Sequence, residues 1–276
     1  MKYATVMVGM ALGQPNESRL EIAAQLAERF GARVIGVAAA EFTPPLYFTE
    51  GEPAQRLIDQ GWAAVKNRLA ALEGEFRAAM QNRAAELEWR CAEDFPTRYV
   101  VRQARACDII VVGEAARGAL ADPFVQVNPS DLVMQTGRPL LVVPESCNWL
   151  DLRSVLVAWK DTAEARRAVS DALPLLGQAK EVTVAEIVED EVDRPAALSR
   201  VGDVVAWLSR HGVRASQLVP EQRGDAATQL ERIASEVGAG VVIAGAYGHS
   251  RLSEWILGGV TRRLINPSNR CSMLSH

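Results

Sequence analysis

Residues 239–245 read AGVVIAG, an uninterrupted run of small and apolar residues that ends on a glycine. A run this short and this apolar predicts a buried strand of a parallel sheet. A second stretch of the same kind, CDIIVVG, occupies residues 107–113. The two stretches stand at corresponding places of a longer pattern, so the chain is predicted to contain two halves with the same order of elements.

The repeated pattern runs through the whole chain. In each half a strand is followed by a helix, a glycine and a second strand, and a short apolar run comes last. The first-half members are the strand within MKYATVMVGMALG (1–13), the helix 17–30, Gly31, RVIGVAAA (33–40) and GRPLLVVP (137–144). The second-half members are SVLVAW (154–159), a helix ending at Leu176, Gly177, EVTVAEIV (181–188) and RCSMLSH (270–276). We predict a domain 1–147 and a domain 148–276.

Each half alternates apolar strands with amphipathic helices, a pattern typical of a parallel sheet that helices cover on both faces. Right-handed crossovers then give an α/β fold of two doubly wound, five-stranded, Rossmann-like domains with strand order 3-2-1-4-5. We expect the apolar closing strands to meet, so that the two halves pack as a pseudo-dimer within one chain.

Composition excludes several classes of protein. The chain has 276 residues and a net charge of −4, with its lysines and arginines scattered, so the basic face of a nucleic-acid-binding protein is not expected. Its four cysteines form no CxxC pair and its three histidines lie far apart, so neither a zinc site nor a disulfide framework is indicated. Reduced thiols favour a cytoplasmic protein.

The N-terminal stretch 1–13 has the charge and apolar run of a signal peptide. The similar run SVLVAW lies in the middle of the chain, where it cannot be a signal, so we interpret both as first strands. No apolar run reaches the length of a membrane span, and we expect no membrane partner.

A gapped glycine motif follows the 239–245 strand. After Gly245 and Gly248 come nine residues, 249–257, and then Gly258, Gly259, Val260 and Thr261. Glycines let a ligand approach the backbone closely, and a helix start at VTRRLI would offer unpaired N–H groups to an anion. Ligands of such sheets bind beyond the carboxyl ends of strands at the switch point, where this motif is placed. The motif predicts a phosphate site, although the same glycines could serve only as turns.

Apolar residues from Ile58 to Met80 recur at alternating steps of four and three, which predicts one long helix with a narrow apolar seam. Core packing is the commoner use of such a seam, and a partner surface is the alternative. An aromatic loop precedes the helix and is expected to cap the end of the sheet or to cover a pocket. Its members are Phe42, Pro44, Pro45, Tyr47 and Phe48.

The doubled plan, GRPLLVVP, and above all GAYGHSRLSEWILGGVT (245–261) resemble a tandem universal stress protein. ATP-binding members of that family carry G-x2-G-x9-G followed by Ser or Thr. The resemblance covers nearly the whole chain. It implies a stress-response protein that binds ATP or another adenine nucleotide, and self-association of the chain as a homodimer.

Carried over by position, the resemblance implies that Gly245 and Gly248 lie against the ribose and phosphates. It implies that Gly258, Gly259, Val260 and Thr261 follow the phosphate chain. Gly259 stands where the family has Ser or Thr, which removes a hydroxyl donor. The acidic residue that the family carries after the first strand is replaced by Lys160, and the neighbouring Asp161 is the candidate substitute.

The first half departs further from the motif. Gly113 is kept, but Ala116 stands where the second glycine belongs, and a longer connection carries Asp122, Pro123, Asn128 and Pro129. The sequence SDLV from Ser130 predicts a helix cap, whose side chain would satisfy the N–H groups that a phosphate needs. We expect this half to be structural.

The leading hypothesis is a cytoplasmic stress-response protein with one adenine-nucleotide site in its second half. The alternative is a non-nucleotide-binding interaction protein of the same fold. An enzyme of phosphoryl transfer ranks lower, because no general base, no Mg²⁺-holding carboxylates and no GxxxxGK[ST] loop are visible, and we assign no catalytic residue. A flavin-binding module would rest on the fold alone.

Overall fold

The computed structural model describes residues 2–43, 52–115, 122–246, 248–249, 256–266 and 269–276. In this part of the chain ten strands form one sheet. The first half contributes β1 (Thr5–Gly9), β2 (Arg33–Ala40), β3 (Leu87–Glu93), β4 (Ile109–Gly113) and β5 (Leu140–Val143). The second half contributes β6 (Ser154–Ala158), β7 (Glu181–Ala185), β8 (Ala215–Leu218) and β9 (Val241–Gly245), then β10 (Gly248–His249) and β11 (Ile256–Leu257), which pair with each other, and finally β12 (Cys271–Ser275).

The strand order across the sheet is β3-β2-β1-β4-β5-β12-β9-β6-β7-β8. Within each half the neighbouring strands are parallel and follow the order 3-2-1-4-5, so the predicted fold class and strand order are confirmed. The halves meet where β5 pairs antiparallel with β12, with Leu141 opposite Met273. The two parallel sets therefore run in opposite directions, and their carboxyl ends lie at opposite ends of the strands.

Helices cover both faces of the sheet. Those of the first half are α1 (Glu17–Phe30), α2 (Glu52–Met80), α3 (Pro96–Gln103) and α4 (Pro129–Gln135). Those of the second half are α5 (Ala163–Asp171), α6 (Leu173–Leu176), α7 (Arg194–Arg210), α8 (Ala226–Glu236) and α9 (Gly259–Ile265). None of these described helices combines the length and the apolar character that crossing a lipid bilayer requires.

The central strands are apolar because both faces of the sheet are buried there, whereas the outermost strands β3 and β8 also carry polar residues. In β4, Ile109 and Val111 belong to the core layer under α1, α2, α5 and α7, whereas Ile110 and Val112 belong to the layer under α3, α4, α8 and α9. Both layers continue through the β5–β12 seam, since Leu141 and Met273 lie in the first layer and their neighbours Leu140 and Leu274 lie in the second. The two halves therefore share their cores.

The long helix predicted from Ile58 to Met80 is confirmed as α2, which has 29 residues. Its apolar seam packs into the core, as the buried residues Val65, Leu69, Leu72, Phe76 and Met80 show. Nearer its start, the rings of Trp62 and Phe42 meet edge to face with centroids 5.9 Å apart. The other members of the aromatic loop, residues 44–48, lie outside the described residues.

We expect the two halves to depend on each other for stability. Made separately as 1–147 and 148–276, each would expose an unpaired apolar edge strand, β5 or β12, and would self-associate or unfold. Mixing the two fragments should restore a one-to-one complex, which size-exclusion chromatography with light scattering would detect. Fragments that remain monomeric and as stable as the whole chain would contradict this expectation.

Candidate functional site

A cleft of about 370 Å³ lies at the carboxyl end of the second half of the sheet. Its floor is formed by the ends of β6, β7 and β9, at Ala158, Ala185 and Ala244. Its walls come from the beginnings of α5, α8 and α9. This is the switch point between the first and fourth strands of the half, where doubly wound sheets bind their ligands.

Most of the predicted site residues come together here. Five of them line the cleft, namely Gly245, Gly258, Gly259, Val260 and Thr261. The backbone of Gly248 pairs with that of Leu257, which places Gly248 beside Gly258 as well. Tyr247 and residues 250–255 lie outside the described residues.

Asp161 takes a different position. It is exposed, its carboxylate pairs with the Arg166 guanidinium at 2.5 Å, and it is not among the described residues that line the cleft. Its neighbour Lys160 does line the cleft. The structure thus gives the position after β6 a positive side chain toward the cleft.

Gly245 is surrounded by the protein's own backbone. A Cβ atom built on this residue would lie 2.5 Å from the amide nitrogen of Ala165 and 2.7 Å from the carbonyl carbon of Glu164. Both atoms belong to the first turn of α5. Because real Cβ atoms do not approach that closely, glycine at position 245 is what lets α5 begin directly against the end of β9.

Gly259 is in the opposite situation. A Cβ atom built there would meet none of the described atoms within 4 Å, and the residue is exposed at the mouth of the cleft. The preceding Gly258 is the N-cap of α9 and has no side chain with which to cap the helix. The N-cap of α9 therefore supplies no side-chain cap to the first N–H groups of the helix.

Glu186 supplies a buried carboxylate to the cleft. It follows β7 directly, lines the cleft and is 7% exposed. Its Oε1 accepts a hydrogen bond from Arg200 Nη2 at 2.5 Å, and this contact raises the pKa of Arg200. Its Oε2 is buried without a hydrogen-bond partner among the described residues.

Trp159 adds a second polar atom in the same situation. It lines the cleft, and its indole Nε1 is buried with no partner in the described part of the chain. Buried polar atoms in folded proteins nearly always have a hydrogen-bond partner, because leaving one unpaired costs roughly 1–3 kcal/mol. Two residues that line the cleft, Glu186 and Trp159, thus each carry a buried polar atom that has no partner among the described residues.

The corresponding place in the first half is filled by a side chain. The Arg19 guanidinium, from α1, donates through Nη1 to the carbonyl oxygen of Gly9 at 3.3 Å, at the end of β1. A Cβ atom on Gly113, at the end of β4, would collide with the same guanidinium. Burial lowers the pKa of Arg19 to about 10. An arginine therefore occupies the switch point that the cleft occupies in the second half.

A segment of the connection between β4 and α4 also closes this place. The amide of Leu12, after β1, donates to the carbonyl of Val125 at 3.3 Å, and the amide of Glu41, after β2, donates to that of Phe124 at 2.8 Å. The turn starts at Asp122, whose carboxylate accepts from the Phe124 amide. Ala116, predicted at the second glycine position, lies outside the described residues.

The cap of α4 corrects one sequence prediction. The N-cap is Asn128 rather than Ser130, and its Oδ1 accepts from the Ser130 amide at 2.9 Å. Pro129 explains the shift, because proline has no N–H to satisfy and is favoured at the first helical position. The expected outcome is the same, because the Asn128 side chain accepts a hydrogen bond from a backbone N–H that a phosphate would need.

Sequence reasoning missed Glu186. The family resemblance pointed to an acidic residue after the first strand, whereas the structure places the carboxylate after the neighbouring second strand. The available signal was an acidic residue directly following the apolar run EVTVA. Among the described residues, no group of three or more His, Cys, Asp or Glu side chains is placed to hold a metal ion.

These features define a doubly wound α/β protein built from two parallel five-strand sets that join edge to edge. In the described residues a cleft lies at the switch point of the second half, whereas Arg19 lies at that of the first. No protein-family model matches the sequence, and no curated protein does. Among solved structures, a universal stress protein from Archaeoglobus fulgidus DSM 4304 superposes with a TM-score of 0.69 at 15% identity, covering 99% of this chain and 96% of its own. A putative universal stress protein from Pseudomonas aeruginosa UCBPP-PA14 gives 0.67 at 14% identity, covering 99% and 93%. The chain has the universal stress protein fold over its whole length, which confirms the predicted resemblance at the level of the fold.

Proposed function

We propose that this chain is a universal stress protein of the stress response that binds an adenine nucleotide in the cleft of its second half. The proposal rests on two buried atoms, Glu186 Oε2 and Trp159 Nε1, which have no partner among the described residues. Both residues line a cleft edged with glycine backbone. Backbone donors alone would not distinguish a ligand from water. A buried carboxylate oxygen without a partner calls for a ligand that carries hydroxyl or amino donors.

The charges in the cleft orient the nucleotide. Glu186 repels phosphate, so the phosphates face the N–H groups of Gly258, Gly259 and Val260, with Lys160 on the cleft wall adding positive charge. The ribose hydroxyls then face Glu186. An acidic residue after the second strand plays this part in dinucleotide-binding folds, where its carboxylate accepts hydrogen bonds from the ribose.

Blocking the phosphate end is the first test. A Cβ atom at Gly259 would meet none of the described atoms within 4 Å, so we expect Gly259→Val to fold normally. The variant should reduce ATP affinity at least about tenfold, roughly 1.4 kcal/mol. Titration calorimetry measures the affinity, and circular dichroism checks the fold. Ser130→Val, in the first turn of α4, is the matched change in the first half and should leave affinity unaltered. Unchanged affinity in Gly259→Val, or equal losses in both variants, would contradict the assignment.

Removing the charge at the nucleoside end is the second test. Glu186→Gln keeps the side-chain shape but replaces the charged acceptor, and a hydrogen bond to a charged group is worth roughly 1.5–3 kcal/mol. We expect the affinities for ATP and for adenosine to fall together by about tenfold or more, whereas Gly259→Val should weaken ATP far more than adenosine. Glu189→Gln, an exposed acid that also lines the cleft, is the control and should change affinity by less than about twofold. Equal effects of the two glutamate changes would count against a specific role of Glu186.

We expect binding without appreciable turnover. ATP hydrolysis should stay well below about ten turnovers per second, the usual median of enzymes, because no residue set for activating water has been assigned. Phosphate release measured with excess ATP checks this. Turnover at ordinary enzymatic rates that a single substitution abolishes would overturn the assignment as a binding protein.

A further inference from the structure

The antiparallel pairing of β5 and β12 brings together two cysteines that lie far apart in the sequence. Cys147 is in the connection between the halves, and Cys271 is the first residue of β12. Their Sγ atoms are 3.4 Å apart across a separation of 124 residues. Cys271 is fully buried, whereas Cys147 is partly exposed, so one member of the pair is accessible to small molecules and the other is not.

The contact shifts the pKa values of the two thiols in opposite directions. A hydrogen bond from the Cys271 thiol lowers the pKa of Cys147 to about 7, and the same contact together with burial raises the pKa of Cys271. Cys147 is therefore substantially a thiolate at neutral pH, and the thiolate is the form of cysteine that reacts. The remaining proton stays on the buried partner.

We propose that Cys147 and Cys271 form a peroxide-reactive pair that closes an internal disulfide between the connection and the last strand. The Cys147 thiolate attacks one oxygen of hydrogen peroxide, the O–O bond breaks, and the departing hydroxide takes up a proton to become water, which leaves Cys147 as a sulfenic acid. The Cys271 sulfur then attacks the Cys147 sulfur. The S–O bond breaks, and hydroxide leaves with the thiol proton as a second water, so two thiols and one peroxide give one disulfide and two waters.

The geometry permits this step at small displacement. The sulfurs must move from 3.4 Å to about 2.05 Å, the length of a disulfide. Cys147 lies between β5 and β6, outside any strand or helix, so the connection can supply that movement. The other two cysteines lack such an arrangement: Cys91 is exposed on β3, and burial raises the pKa of Cys107 to about 12.

The test uses the full-length protein. Reduced protein is treated with a slight excess of hydrogen peroxide, alkylated under denaturing conditions, and analysed by intact mass and peptide mapping. Before alkylation we expect a monomer whose intact mass has fallen by about 2 Da, the mass of two hydrogen atoms. After alkylation we expect two added alkyl groups, on Cys91 and Cys107, with Cys147 and Cys271 cross-linked. Cys91→Ser should behave as the wild type does.

Two variants separate the steps. In Cys271→Ala, with its fold checked by circular dichroism, Cys147 should stop at the sulfenic acid, which dimedone traps as an adduct. In Cys147→Ala, Cys271 should remain a free thiol after the same treatment. The proposal is overturned if the wild type forms no 147–271 cross-link, if cross-links join separate chains instead, or if Cys147 in Cys271→Ala gives no dimedone adduct.

Discussion

Replacing Phe76 with alanine is expected to lower the free energy of unfolding by about 3–5 kcal/mol. Phe76 is fully buried on the inner face of α2, and its ring packs against Trp89 of β3 with centroids 5.6 Å apart. Removing the ring would leave a cavity between a helix and a sheet that are both fixed by other contacts, so the site can collapse little.

Gly36 in β2 shows how closely Phe76 is packed. A Cβ atom built on Gly36 would lie 2.8 Å from Phe76 Cδ2 and 2.7 Å from the Trp89 ring, so the absence of a side chain at position 36 makes room for both aromatic residues. A side chain at position 36 would overpack the core, whereas removing the Phe76 ring would leave a void there.

Denaturant unfolding followed by tryptophan fluorescence measures the effect of Phe76→Ala. Glu75→Ala is the matched control, because Glu75 neighbours Phe76 on α2 but is exposed, and its loss should change stability by less than about 0.5 kcal/mol. A loss below about 1 kcal/mol for Phe76→Ala would show that α2 contributes to a partner surface rather than to the core.

The sequence predicted the fold well because its signals are local. Each signal depends on residues that are close together in the sequence, such as a short apolar run, the helical spacing from Ile58 to Met80, or a glycine between two elements. The internal repeat then indicated the same topology twice. The crossover rules then left little choice of strand order. Gly36 inside an apolar strand is a further local signal of close packing.

The parts of the site that the sequence did not reveal depend on contacts between distant segments. Glu186 reaches the cleft because β7 lies next to β6, and Cys147 meets Cys271 because β5 and β12 run antiparallel. The Arg19 side chain fills the switch point of the first half because α1 begins beside the ends of β1 and β4. A charged side chain near a helix start is ordinarily solvated, so residue type gave no hint that this one is buried.

Three glycines near the carboxyl ends of the two parallel strand sets provide the last prediction. The space around them differs, so we expect alanine to change stability by a different amount at each. Gly245→Ala is expected to lower the free energy of unfolding by about 3 kcal/mol, the upper end of the usual effect of overpacking, since the new methyl group would meet the backbone of α5. Gly113→Ala should lower it by about 1 kcal/mol, because its obstacle is the end of the Arg19 side chain. Gly259→Ala meets none of the described atoms and should be neutral or stabilising by up to about 1 kcal/mol.

Thermal and denaturant unfolding measure the stabilities of the three alanine variants. Titration with ATP, at a temperature where all three remain folded, measures their affinities. If Gly245 serves to seat α5 against β9, its variant loses stability first and loses affinity because the cleft wall moves. A Gly245→Ala protein as stable as the wild type but unable to bind ATP would instead mean that the residue contacts the ligand directly. Equal stability of all three variants would show that α5 can retreat from β9, and the close approach at Gly245 would then not define the cleft.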